Sequence, residues 1–232
     1  MKKKYKIISF DADDTLWINE TYYQDIEKEF ISMMSKYTDM ETATDEIHKQ
    51  EIENLGIYGY GAKGFMLSMI ETALHVSGGQ VVSGDLSRIL EMGRSLINAP
   101  IVLLDGVCEI LEKVCRAGYK MIVATKGDLL DQERKLRKSG LEEYFDHIEI
   151  MSYKRPKDYK KLIEHLGIEP GEFLMIGNSM PSDILPVLDI GGSGIHVPYH
   201  TTWAHELVDD VGDRDNLWVV DNISEVAKIL GV

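Results

Sequence analysis

Short apolar runs at residues 5–10 (YKIISF), 119–124 (YKMIVA), 172–176 (EFLMI) and 217–220 (LWVV) most constrain this chain. Each of the middle two passes through Gly, Asn, Ser, Thr or Asp into a helical pattern. Strand, polar turn and helix in alternation predict an α/β domain around a parallel sheet. Between the runs, Val107, Ile110, Leu111 and Val114 form one apolar helix face, and Tyr159, Leu162, Ile163 and Leu166 another. In such a sheet the ligand sits beyond the carboxyl ends of the strands, on the loops that follow them.

Residues 18–98 lack any comparable strand. Tyr22, Tyr23, Ile26, Phe30, Met33, Met34 and Tyr37 recur at helical spacing, as do Ala62, Phe65, Met66, Met69, Ile70, Ala73 and Leu74, and then Leu86, Ile89, Leu90, Leu96 and Ile97. This predicts a helical bundle inserted after the first strand, with its methionines and aromatics as plain core. Asn98, Ala99 and Pro100 mark the return to the α/β part.

The 232 residues suffice for a substantial core, and 44% apolar with 28% charged residues is an ordinary globular balance. A net charge of −14 argues against nucleic acid or an anionic membrane as partner, so an anionic substrate needs specific local cations. The basic start MKKK leads into an apolar run that stops at Asp11, too short for a signal segment, and no stretch reaches bilayer length; a cytoplasmic protein is expected. Cys108 and Cys115, roughly 10 Å apart along a helix, are expected to be reduced.

The first run ends in DADDT, residues 11–15. Side chains two apart at a strand end share one side, so Asp11 and Asp13 need a cation between them or a retained proton. Three further loops offer what such a pair needs. Thr125, Lys126 and Gly127 lead into a helix near Asp128 and present a hydroxyl and backbone N–H groups to an anion. GNSMPSD, residues 177–183, brings Asn178 and Asp183 to the same sheet edge. SYKRPKDYKKL, residues 152–162, supplies Lys154 and Lys157.

These residues resemble the haloacid dehalogenase-like hydrolases. DADDT is similar to that family's first motif, VATKG to its second, Lys154 with Pro156 and Tyr159 to its third, and GNSMPSD to its fourth, in order, with a helical insert where the family carries its cap. The resemblance implies a Rossmann-like three-layer core over 1–16 and 99–232 and a cap over 17–98. It implies Asp11 as nucleophile forming an aspartyl-phosphate, Asp13 as general acid and base, and Thr125 and Lys154 on the phosphoryl oxygens with Lys126 nearby. Mg²⁺ would be held by Asp11, the Asp13 carbonyl, Asn178 and Asp183. Lys154 matches the third motif better than Lys157, which lies three residues on and can point the same way. Asn178 stands where many relatives have Asp, which predicts weaker Mg²⁺ binding. Asp14 stands where many have Gly and is read as a solvated turn residue.

An acid at position 13 favours phosphate esters, whose alkoxide leaving group needs a proton. The expected activity is therefore hydrolysis of a small phosphorylated metabolite. A sugar phosphomutase and a non-catalytic binding protein are the alternatives. In the insert, NLGIYGYGAKGF places Tyr58, Tyr60 and Lys63 among four glycines, where Lys63 can meet an anionic or polar leaving group. His196, His200 and His205 match no zinc spacing, and their stretch is read as a surface loop with Trp203 near the core.

Overall fold

The computed structural model describes residues 5–201, 203 and 214–232. Six parallel strands lie in the order β3-β2-β1-β4-β5-β6: β1 Ile7–Phe10, β2 Lys120–Lys126, β3 His147–Met151, β4 Phe173–Gly177, β5 Ser193–His196 and β6 Leu217–Val219. The chain steps outward from β1 to β3, then returns to add β4 on the other side of β1. The crevice beyond the ends of β1 and β4 is therefore the topological switch point.

Both sheet faces are covered, because alternate side chains of each buried strand point to opposite layers. Ile8 and Phe10 face a core shared with Val107, Ile110, Leu111 and Val114 of α5 (Val107–Arg116) and Val226 of α9 (Val226–Leu230). Ile7 joins Ile122, Phe173 and Met175 against Tyr159, Leu162 and Ile163 of α7 (Pro156–Leu166) and Val187 of α8 (Leu185–Asp189). The remaining core helix, α6 (Leu129–Ser139), follows β2. This is a three-layer Rossmann-like α/β fold.

β3 has no counterpart among the expected strands. Its sequence HIEIM alternates over only five residues, and all but Met151 are partly exposed because it lies at the sheet edge. Apolar-run reading finds β1, β2, β4 and the short edge strand β6 and passes over this one.

Chain contacts divide the protein into two units, Met1–Glu20 with Ile101–Lys126 and Gln132–Val232, and Thr21–Pro100 with Gly127–Asp131. The second is built from α1 (Glu20–Met34), α2 (Met40–Tyr58), α3 (Ala62–Val76) and α4 (Ser83–Ile97), packed around Phe30, Met34, Ile47, Phe65, Met69, Ile89 and Met92. α2 buries only Ala43, Ile47 and Asn54, so no apolar stripe announces it. Asp39 caps it through the Thr42 N–H, and Gly59 and Gly61 carry the turn into α3 at φ 73° and 104°.

Where the chain leaves and re-enters the first unit, the two connections run antiparallel. Ile18 N–H donates to Val102 and Leu104 N–H to Leu16, with Trp17 opposite Leu103. Among the described residues no helix is long and apolar enough to cross a membrane.

Candidate active site

Asp11 follows β1 and is only 6% exposed; its N–H donates to Ile176 of β4, which ties the loop to the neighbouring strand. Lys154, after β3, reaches Asp11 Oδ1 and Asp183 Oδ1, each at 2.5 Å, with all three side chains buried. A third contact comes from Thr15, whose hydroxyl lies 3.2 Å from Asp11 Oδ2 and 3.1 Å from Asn178 Oδ1 while accepting the Asn178 N–H. Three loops of the first unit, those after β1, β3 and β4, thus meet around one carboxylate.

The electrostatics follow from burial. Desolvation, then the charge of Asp183, push the Asp11 carboxyl up to about 7 against the pull of Lys154. Burial works to lower the Lys154 pKa, but Asp11 and Asp183 outweigh it and hold the ammonium well above the usual lysine range. One buried cation is shared by two buried carboxylates, an arrangement that favours more positive charge.

Asp183 owes its place to a π-helical turn, Met180–Ile184, that follows β4. Its Oδ2 accepts the Ser179 N–H at 3.0 Å, and its carboxylate packs closely against Gly177. A Cβ at Gly177 would stand 2.7 Å from Asp183 Cβ and closer to the carboxylate, so this approach requires glycine. His196, at the end of β5, donates from Nε2 to the Asn178 carbonyl at 2.8 Å, and burial lowers its pKa. His200 instead meets Thr201 and Tyr199, while His205 lies outside the described residues.

Asp13 lies in a different setting. Its Oδ1 accepts from Trp17 Nε1 at 2.7 Å and its Oδ2 from Gln132 Nε2 at 2.7 Å, while Lys135 reaches both oxygens at 3.0 and 3.1 Å. Sequence reading passed over Gln132 and Lys135, which sit one helical turn apart on α6 and look like any solvated face.

Asp14 corrects the expectation of a solvated turn residue. It is 6% exposed with φ 62°, a left-handed backbone that Asp tolerates better than most side chains, and its two oxygens accept the N–H groups of Asn19 and Glu20 at the start of α1. The position thus supplies an acceptor at this helix N-terminus. Burial pushes its carboxyl up to about 7, moderated by those two N–H groups.

The second motif divides. Thr125 is buried with its hydroxyl 3.3 Å from the Lys126 carbonyl, and Lys126 Nζ donates to Ser182 at 2.8 Å. Lys154 is buried on Asp11, whereas Lys157 is exposed on α7. Within the helical unit Lys63 Nζ lies 2.9 Å from Asp128, Tyr58 donates to Glu71 at 2.6 Å, and Tyr60 is half-buried.

The side-chain oxygens gathered here are those of the Asp11 and Asp183 carboxylates and the Asn178 amide. That hard set, with two buried carboxylates already sharing one cation, fits Mg²⁺ better than a softer metal. Among the described residues no group of three His, Cys, Asp or Glu side chains is placed to hold a metal.

A haloacid dehalogenase-like hydrolase family model matches residues 5–191. Glyceraldehyde 3-phosphate phosphatase from Pyrococcus furiosus is 24% identical over 208 residues, 85% of this chain and 82% of that protein. A haloacid dehalogenase-like family hydrolase from Xanthomonas campestris is 37% identical with a TM-score of 0.88, covering 99% of this chain and 93% of that one. L-2-haloacid dehalogenase from Xanthobacter autotrophicus, 16% identical with a TM-score of 0.66 and 98% coverage of both chains, shares the fold. With its motif residues gathered at one sheet edge and the family match spanning most of its length, the chain belongs to the haloacid dehalogenase-like hydrolases.

Proposed function

We propose that the protein is a Mg²⁺-dependent phosphatase of a small phosphorylated metabolite. The observation that carries this reading is the separation of two carboxylates on one loop: Asp11 buried beside Lys154 and Asp183, Asp13 two residues on with its own set of donors. Two carboxyl groups in unlike environments can divide attack from proton transfer.

In the proposed reaction Asp11 Oδ attacks phosphorus and the bond to the leaving oxygen breaks. Asp13 gives that oxygen its proton, so the departing group is a neutral alcohol. Asp13 then takes a proton from water as the water oxygen attacks the aspartyl-phosphate, and inorganic phosphate leaves. Lys154 orients Asp11 and, with Thr125 and Lys126, meets the phosphoryl oxygens. Bound Mg²⁺, held by Asp11, Asp183, Asn178 and the Asp13 carbonyl, would supply the charge that keeps the site anionic and offsets the phosphoryl group. With Asn178 in place of a carboxylate, we expect its affinity to be modest.

Residues 17–98 act as the cap in this reading, with Tyr60 and Lys63 as its substrate-reading side chains. Lys63 would exchange Asp128 for an anionic group on the substrate. The name of the Pyrococcus relative supports a three-carbon phosphate as the first compound to try. The test is a phosphate-release panel of glyceraldehyde 3-phosphate, 2-phosphoglycolate, glycerol 3-phosphate, sugar monophosphates and p-nitrophenyl phosphate, with and without Mg²⁺. Mg²⁺-dependent release that Asp11→Asn abolishes is expected. Phosphate returned to a sugar product would indicate a mutase, and no release from any compound would overturn the catalytic reading.

A further inference from the structure

Gln132 and Lys135 spend most of their hydrogen-bonding capacity on one neighbour. Gln132 is 3% exposed and uses both amide hydrogens, one on Asp13 Oδ2 at 2.7 Å and one on the Lys126 carbonyl at 2.8 Å. Lys135 uses all three ammonium hydrogens, on Asp13 Oδ1 and Oδ2 and on Asn19 Oδ1 at 2.7 Å. Its side chain is 11% exposed. Polar residues on a helix face that served only solubility would leave these donors to water.

With Trp17, these contacts fill the roughly four lone-pair positions of the Asp13 carboxylate. For Asp13 to carry a proton to a leaving oxygen, one donor must withdraw. Trp17 and Gln132 are the short contacts, both 2.7 Å; the divided Lys135 contacts, at 3.0 and 3.1 Å, are the longer ones. Lys135 can release one oxygen and keep the other, while Gln132 holds Asp13 to the end of β2 and the Lys135–Asn19 bond holds it to the start of the insert.

We propose that Gln132 and Lys135 are positioning residues that aim the Asp13 carboxyl group at the leaving oxygen. Gln132 is the fixed anchor and Lys135 the donor that yields. The inference rests on the reading of Asp13 as the acid in phosphoryl transfer, and it extends that role to a helix that none of the four motifs includes.

The test separates aim from general integrity. The ratio kcat/KM covers the steps up to transfer onto Asp11, the stage at which Asp13 acts as acid. An alkoxide leaving group needs that proton, and p-nitrophenolate does not. Lys135→Met and Gln132→Met are measured on glyceraldehyde 3-phosphate, or whichever alkyl phosphate of the panel is turned over fastest, and on p-nitrophenyl phosphate. On the alkyl ester kcat/KM should fall about tenfold or more beyond its fall on the aryl ester, a share of the general-acid contribution. Lys135→Arg should restore most of the difference. Equal losses on both esters would show a structural role and overturn the proposal, as would no loss on either. A wild-type protein inert on both esters with Mg²⁺ would instead overturn the phosphatase reading on which the proposal stands.

Discussion

Lys154 bridges Asp11 and Asp183, its ammonium 2.5 Å from an oxygen of each, where all three side chains are nearly sealed from solvent. The bridge joins the loops after β1, β3 and β4, so the nucleophile's orientation depends on three strands rather than on its own turn.

Removing that ammonium leaves two buried carboxylates facing each other. Lys154→Met should cost about 3–5 kcal/mol in urea unfolding, at the lower end where Asp11 can take up a proton. It should also reduce kcat about a hundredfold or more. Lys157→Ala, changing an exposed side chain on α7, should leave both measurements near wild type.

Gly177 is a second point of leverage. In Gly177→Ala the new methyl group would occupy the space of the Asp183 carboxylate, so Asp183 must turn away from Lys154 and Ser179. The expected result is a large rise in the Mg²⁺ concentration needed for half-maximal activity, read by titrating the metal. An unchanged Mg²⁺ requirement would mean that Asp183 does not serve the ion.

Asp14 predicts an ordering of variants. Asp14→Gly keeps a backbone at ease at φ 62° and loses only the acceptor for α1, whereas Asp14→Ala loses the acceptor and strains the turn. Urea unfolding should find the Ala variant about 1–2 kcal/mol less stable than the Gly variant.

A buried acid in the helical unit sets a pH dependence. Burial, then the charge of Glu27, raise Glu51 to about 8, and its Oε2 is enclosed without a hydrogen-bond partner. The folded state therefore binds a proton more tightly than the unfolded state between about pH 4.5 and 8, and stability falls as pH rises through that window, by up to about 1.4 kcal/mol per unit. Glu51→Gln removes the titration, so its Tm should exceed the wild-type Tm increasingly from pH 5 to pH 8. A constant difference would contradict the burial of a charge there.

What the sequence revealed depended on how local each signal was. β1, β2 and β4 are buried on both faces, so their apolar runs and the residues that follow them, from Asp11 to Asp183, stood out without any tertiary knowledge. β3 shows alternating, partly exposed residues at the sheet edge, and α2 buries too little to leave a stripe. The preference for Lys154 over Lys157 rested on its spacing to Pro156 and Tyr159, and with α7 starting at Pro156 Lys154 is buried while Lys157 is exposed. Asp14, Gln132 and Lys135 acquire meaning only from partners far away or across a turn. A charged side chain reads as solvated until the fold encloses it.

Covalent phosphorylation of Asp11 is read from intact-protein mass after rapid acid quench. With substrate and Mg²⁺, wild-type protein should gain the mass of one phosphoryl group, carried on the peptide that contains Asp11 and lost on alkaline treatment, while Asp11→Asn gains none. Mg²⁺-dependent turnover with no adduct, or an adduct that persists in Asp11→Asn, would contradict it.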